Sequence, residues 1–187
     1  MKTKDALVEA AAELLWERGY AATSPAMIQK RSHAGQGSMY HHFSGKAELA
    51  TAAMRHSAQQ LQTAVEAALG SGGSAVERIS AYLDMERSPL AGCRVGRLVQ
   101  DPDVVADDEL RAPVAESFAW LERRIADVLA EGVRSGELRQ DTDVAATAAL
   151  VIATVQGGYV LARAQQDEEA FRRAAKAAKA ALVGLTV

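Results

Sequence analysis

Residues 144–162 contain no Asp, Glu, Lys or Arg, and this run narrows the possible folds more than any other part of the chain. It is about as long as a minimal membrane span, but Thr147, Thr154, Gln156 and the Gly157-Gly158 pair suit a lipid-facing helix poorly. A soluble helix that is apolar all round has to be buried all round, and its own core covers only one side. A second copy of the chain is the natural cover, with helix pairs from two subunits forming a four-helix bundle. The expectation is a homodimer with no membrane partner. The helix that follows, over residues 167–182, adds a stripe of Phe171, Ala174, Ala175, Ala178 and Leu182, small enough for close helix approach.

The rest of the pattern is helical as well. Alanine recurs in nearly every segment and aromatic residues make up only 5%, which favours helices over strands. A first helix spans about residues 4–18, with Thr3 as its cap and Gly19 as its stop. Ser24-Pro25 opens a short second helix ending near Arg31 or Ser32, because a capping hydroxyl followed by proline is a helix start. The segment Ser32-His33-Ala34-Gly35 reads as a turn, and residues 36–43 as a third helix. Ser44 is the expected cap of a long fourth helix reaching Leu69. After the break at Gly70-Ser71-Gly72-Gly73 come a helix over 74–86, an irregular stretch over 88–108 with room for one or two short helices, and a long helix to Ser135. Pro113 must lie in that helix's first turn or kink it. Helices over 143–163 and 167–182 complete an all-α chain of about nine helices. The expected division is a three-helix domain at 1–45 and a helical ligand-binding and dimerisation domain at 46–187.

Two short helices joined by a tight turn and braced by a preceding helix form a helix-turn-helix, whose second short helix can enter the DNA major groove. Ile28, Ala34, Met39 and Phe43 are spaced to make its small core. Gln36, Ser38, His41 and His42 are left to point outward, where small and polar groups suit base edges and phosphates. The net charge of −3 does not oppose this, because residues 24–46 lack any acid while Lys30, Arg31 and Lys46 are basic.

The wording Glu17-Arg18-Gly19-Tyr20, then Ala22-Thr23-Ser24, then Gly37-Ser38-Met39-Tyr40-His41-His42-Phe43 with Ser44, Lys46, Glu48 and Leu49 resembles the N-terminal domain of the TetR family of transcriptional regulators. The resemblance covers about residues 5–54. It implies a dimer that binds double-stranded palindromic operator DNA, usually as a repressor, and that a small-molecule inducer releases. It also implies that Tyr40 and His41 lie against the DNA backbone, that Ser38 and Gln36 stand at the base-reading end, and that Lys46 and Ser24 hold phosphates. Three positions depart from the family's usual wording. His33-Ala34 stands where Gly-Val is common in the turn, Gln36 replaces a commonly basic residue, and Ala26 sits where some relatives place a contacting side chain. The segment Gly92-Cys93-Arg94-Val95-Gly96 is similar to wording in one group of these regulators.

An inducer pocket is expected among the helices of residues 46–165, with Tyr82, Met85, Cys93, Trp120, Gln156 and Tyr159 as its candidate polar, sulfur or aromatic handles. Arg94 and Arg97 could lower the Cys93 thiol pKa, but a lone cysteine reads first as a small hydrophobe. No Cys-x-x-Cys or His-Glu-x-x-His spacing supports a metal site, and no nucleophile–base pair or phosphate-cradling glycine loop supports an enzyme. No cofactor is expected. A single cysteine and a polar start over residues 1–5 fit the cytoplasm. The competing reading is a helical dimer that binds a small molecule or metal without binding DNA; it would bury residues 24–46 or split them between opposite sides.

Overall fold

The computed structural model describes residues 3–187, with the side chain of Gln36 excepted. The helices are α1 (Thr3–Arg18), α2 (Pro25–Ser32), α3 (Gln36–His42), α4 (Lys46–Leu69), α5 (Ala75–Leu83), α6 (Pro102–Ala106), α7 (Asp108–Ser135), α8 (Val144–Gln165) and α9 (Glu169–Val183), with a 3-10 turn at Gly96–Gln100. Among the described residues there is no strand, only an isolated bridge between Leu138 and Thr186. The expected all-α architecture, with an N-terminal helix-turn-helix followed by a larger helical part, is the one observed.

The chain divides into two units. One comprises Met1–Leu61 and Cys93–Ser117, the other Gln62–Gly92 and Phe118–Val187. The first buries Leu7, Leu14, Leu15, Ile28, Met39, Phe43 and Leu49, together with Val95, Leu98 and Val104 from its second segment. The second buries Leu69, Ile79, Tyr82, Leu121, Ile125, Leu129, Val151, Phe171 and Leu182.

Local chemistry sets most of the boundaries. The Ser24 hydroxyl accepts the Met27 amide at 3.3 Å and Pro25 occupies the first turn, so α2 starts where the capping pattern places it. Ser74 and Glu77 form a reciprocal capping box at α5. Asp143 caps α8 through the Ala146 amide at 3.0 Å. Other positions differ from expectation. Thr3 is the first residue of α1 rather than its cap. Ser44 caps nothing: its amide and hydroxyl both donate to Glu48 Oε2, at 2.7 and 2.8 Å, and α4 begins two residues later. α5 stops at Leu83 instead of running to residue 86. There the Arg87 guanidinium turns back to donate to the carbonyls of Tyr82, Leu83 and Met85, which satisfies the helix end early. α7 begins at Asp108, so Pro113 lies inside it, past the first turn.

The α9 stripe faces inward. Phe171, Ala175, Ala178 and Leu182 are buried within their own unit, and a side-chain carbon added at Gly158 of α8 would come within 2.9 Å of the Phe171 ring. Gly158 is what lets α8 and α9 pack this closely. Most of the large apolar side chains left open on this pair are on α8, where Leu150, Val160 and Leu161 are each about half exposed, with Val183 exposed at the end of α9. Leu150, Val160 and Leu161 share one helix face with Ala153, Gly157 and Ala164.

His33 ends α2 in the left-handed region, with φ 54° and ψ 24°, and its side chain is exposed. A residue with a β-carbon pays about 1–2 kcal/mol there, against about 0.5–1 kcal/mol of extra unfolded-state entropy for glycine. His33→Gly is therefore expected to stabilise the fold by about 0.5–1 kcal/mol, read as a higher urea midpoint at unchanged slope. A lower midpoint would mean that the imidazole itself holds the turn.

Candidate nucleic-acid interface

The short helices α2 and α3 pack on each other and on α1 through the residues whose spacing marks them as core. Ile28, Met39 and Phe43 are almost fully buried, while Ala34 is half-buried. Gln29 reaches from α2 to α3 and donates to Met39 Sδ at 3.7 Å, and the Lys4 ammonium covers the Phe43 ring from α1. With the core side of α3 so occupied, its other face is free. Tyr40 is 56% exposed, His41 is exposed, and Ser38 and His42 are half-buried. The two histidine rings meet edge to face at 5.0 Å. Gln36 heads α3, but its side chain lies outside the described residues.

Ser24 is half-buried at the head of α2, where its oxygen is engaged as an acceptor and its proton stays available to a phosphate. Lys46 is half-buried at the first residue of α4, with Nζ 4.0 Å from the centre of the Tyr20 ring. That stacking holds the ammonium beside the helix-turn-helix without neutralising it. Burial pushes the Tyr20 hydroxyl above the ordinary tyrosine range, and the carboxylates of Asp107, Asp103 and Asp101 add to the shift. Tyr20 stands out in the sequence only as part of the motif, and its support of Lys46 has no local sequence signal.

Arg31 behaves differently from the basic residue expected on this face. Its guanidinium makes a two-toothed contact with Glu17, at 2.7 and 2.9 Å, and reaches Glu13 at 3.3 Å. The hydrogen bond from Arg31 holds the Glu17 carboxyl below the usual carboxylate range. The acid-free stretch of sequence is thus met in space by acids from α1. Of the three basic residues in that stretch, the exposed Lys30 and the half-buried Lys46 are left to supply positive charge.

The end of α1 is held by residues far along the chain. Arg97 Nη1 donates to the Trp16 carbonyl and, at 3.0 Å, to that of Glu17. The Arg94 guanidinium lies 3.9 Å above the Trp16 ring. Asp101 accepts the Ala21 amide at 2.8 Å.

Five of the six candidate ligand residues belong to the second unit. Tyr82 is buried beneath Arg87, at 5.1 Å. Arg87 also lies 5.7 Å from the Phe171 ring, and Tyr159 meets the same ring at 4.9 Å. Met85 borders an open groove of about 560 Å³ with Arg87, Phe171 and Lys176. Tyr82, Met85 and Tyr159 therefore gather around Arg87 and Phe171. Trp120 on α7 and Gln156 on α8 are half-buried in the same unit. Cys93 belongs to the other unit, and its Sγ accepts the Gly96 amide at 3.2 Å.

Comparisons with known proteins agree with this geometry. Residues 7–53 match the family model described as bacterial regulatory proteins, tetR family, and residues 73–178 match that for the tetracyclin repressor-like C-terminal domain. An HTH-type transcriptional regulator from the lacX 3′ region of Lactococcus lactis is 28% identical over 172 residues, covering 88% of this chain and 85% of that one. The crystal structure of a TetR transcriptional regulator from Chloroflexus aurantiacus superposes with a TM-score of 0.88 at 27% identity, over 99% of this chain and 96% of that one. A cysteine variant of the regulator CifR, complexed with a 26-base-pair operator duplex, superposes with a TM-score of 0.80 at 22% identity, over 95% of each chain.

Proposed function

The chain belongs to the TetR family of bacterial regulatory proteins, and from that premise we propose that it is a ligand-responsive transcriptional regulator acting as a homodimer on palindromic operator DNA. The observation that carries this reading is the open face of α3, with Tyr40 and His41 exposed, together with Lys46 stacked on Tyr20 at the start of α4. In this reading α3 enters the major groove, Ser38 and Gln36 stand at the base edges, and Ser24, Tyr40, His41, His42 and Lys46 contact the backbone. The protein acts by binding rather than by catalysis, in the cytoplasm, and represses until a small-molecule inducer releases it.

The homodimer rests on α8. Its most apolar 18-residue window has a mean hydropathy of 1.7, yet only 22% of that window is buried within one chain. By length and composition it could cross a membrane. Its packing against α9 and the small residues on its open face favour a second copy of the same helix as the cover. The inducer would bind in the C-terminal part, where Tyr82, Met85, Trp120, Gln156 and Tyr159 supply aromatic, sulfur and amide groups, with Cys93 as the sixth candidate.

The test is binding of the purified protein to duplex DNA flanking its own gene, beside an unrelated duplex, across a salt series. Tight and selective binding with dimer stoichiometry and a steep salt dependence is expected. Equal, weak binding to both, followed by a genome-wide selection that enriches no sequence, would overturn the reading.

A further inference from the structure

The turn between α1 and α2 is gripped from two sides. Residues 93–101 hold it on one side. Arg97 takes two carbonyls of the last turn of α1, where a cation also meets the negative end of the helix dipole. Arg94 covers the Trp16 ring. Asp101 takes the Ala21 amide, and its other oxygen accepts the Asp103 amide at 3.1 Å, which ties the same carboxylate to the head of α6. Gly19 lies between these grips with φ 82°, and a β-carbon there would stand 3.2 Å from Asp101 Oδ2.

On its other side the turn holds the parts of the DNA-binding surface. Glu17, whose carbonyl Arg97 takes, fixes α2 through Arg31. Tyr20, one residue before the amide that Asp101 takes, carries Lys46 of α4. Residues 93–101 therefore reach α2 through Glu17, and α4 through the adjacent pair Ala21 and Tyr20.

We propose that Arg97 and Asp101 are positioning residues for DNA recognition, clamping the α1–α2 turn so that Arg31 and Lys46 hold α2 and the start of α4 in binding register. The inference rests on the DNA-binding function proposed above. A positioning residue and a phosphate-binding residue differ in a measurable way. Removing a cation that neutralises a phosphate lowers affinity and flattens the salt dependence, whereas removing a clamp lowers affinity at an unchanged slope.

The probe is a duplex enriched by the wild-type protein from a randomised library. Failure of the wild type to enrich any duplex would count against the function itself. With an enriched duplex in hand, Arg97→Ala is expected to weaken binding by about 10-fold or more, the scale of removing charge-assisted hydrogen bonds, with the salt slope unchanged. Arg97→Lys, which keeps a donor and the charge, should recover part of the affinity. Asp101→Ala should weaken binding, while Asp101→Asn, whose amide oxygen still accepts the Ala21 amide, should stay near wild type; this pair carries the test if Arg97→Ala does not fold. Wild-type affinity in Arg97→Ala and Asp101→Ala, or a slope that falls with affinity, would overturn the proposal.

Discussion

Lys46→Ala is expected to weaken binding to every duplex by a similar factor and to flatten the salt dependence by about 0.9 for each phosphate left without its cation, hence by about 1.8 for the two copies in a dimer. Lys46 stands at the first residue of α4 with its ammonium on the Tyr20 ring. An aromatic face orients a cation and leaves its charge available, so the ion can still displace a counterion from DNA. Arg31→Ala is the matched control. Its guanidinium is already paired with Glu13 and Glu17, so its removal should leave the slope alone while loosening α2. Titrations of wild type and both variants at several salt concentrations separate the two effects. An unchanged slope in Lys46→Ala would show that this lysine does not face a phosphate.

Val160→Asp is expected to convert the protein to a monomer and to abolish tight operator binding. Val160 is about half exposed on α8, on the face that includes Leu150 and Gly157, and a side-chain carbon added at Gly157 would meet nothing within 4 Å in the single chain. On the proposed dimer this face meets its own symmetry mate, so one substitution places two carboxylates in the seam. An unpaired charge there costs about 3–5 kcal/mol, which is enough to dissociate a dimer at micromolar concentration. A monomer holds a single half-site and forfeits the affinity that comes from two recognition helices tied together. Sedimentation equilibrium reads the assembly directly. A Val160→Asp protein that remains dimeric would place the interface elsewhere.

The parts of this fold that were legible in the sequence are those set within one helical turn. Ser24-Pro25 marks its helix start because cap and capped amide lie three residues apart, and the helices expected from residues 74 and 143 begin one residue later, with Ser74 and Asp143 as their caps. Ile28, Met39 and Phe43 identify the core of the helix-turn-helix because periodicity says which residues share a face. Periodicity does not say what that face meets. Phe171, Ala175, Ala178 and Leu182 do form one stripe, but it turns toward their own chain, and most of the large open apolar side chains belong to α8. Charge patterns fail for a similar reason. The acid-free stretch over residues 24–46 overstates the positive face, because Glu13 and Glu17 come from a different helix. The partners of α1's last carbonyls lie about eighty residues away, and no spacing rule reaches that far.

That the first unit is assembled from Met1–Leu61 and Cys93–Ser117 bears on how reading heads could be exchanged among relatives. A crossover that replaces only the N-terminal residues brings in a new Trp16–Ala21 turn and keeps the old Arg94, Arg97 and Asp101 facing it. Inheritance as a simple prefix would therefore mismatch the two halves of a single grip. A working chimera takes both segments together, and drift at residues 16–21 should be answered by drift at 94–101.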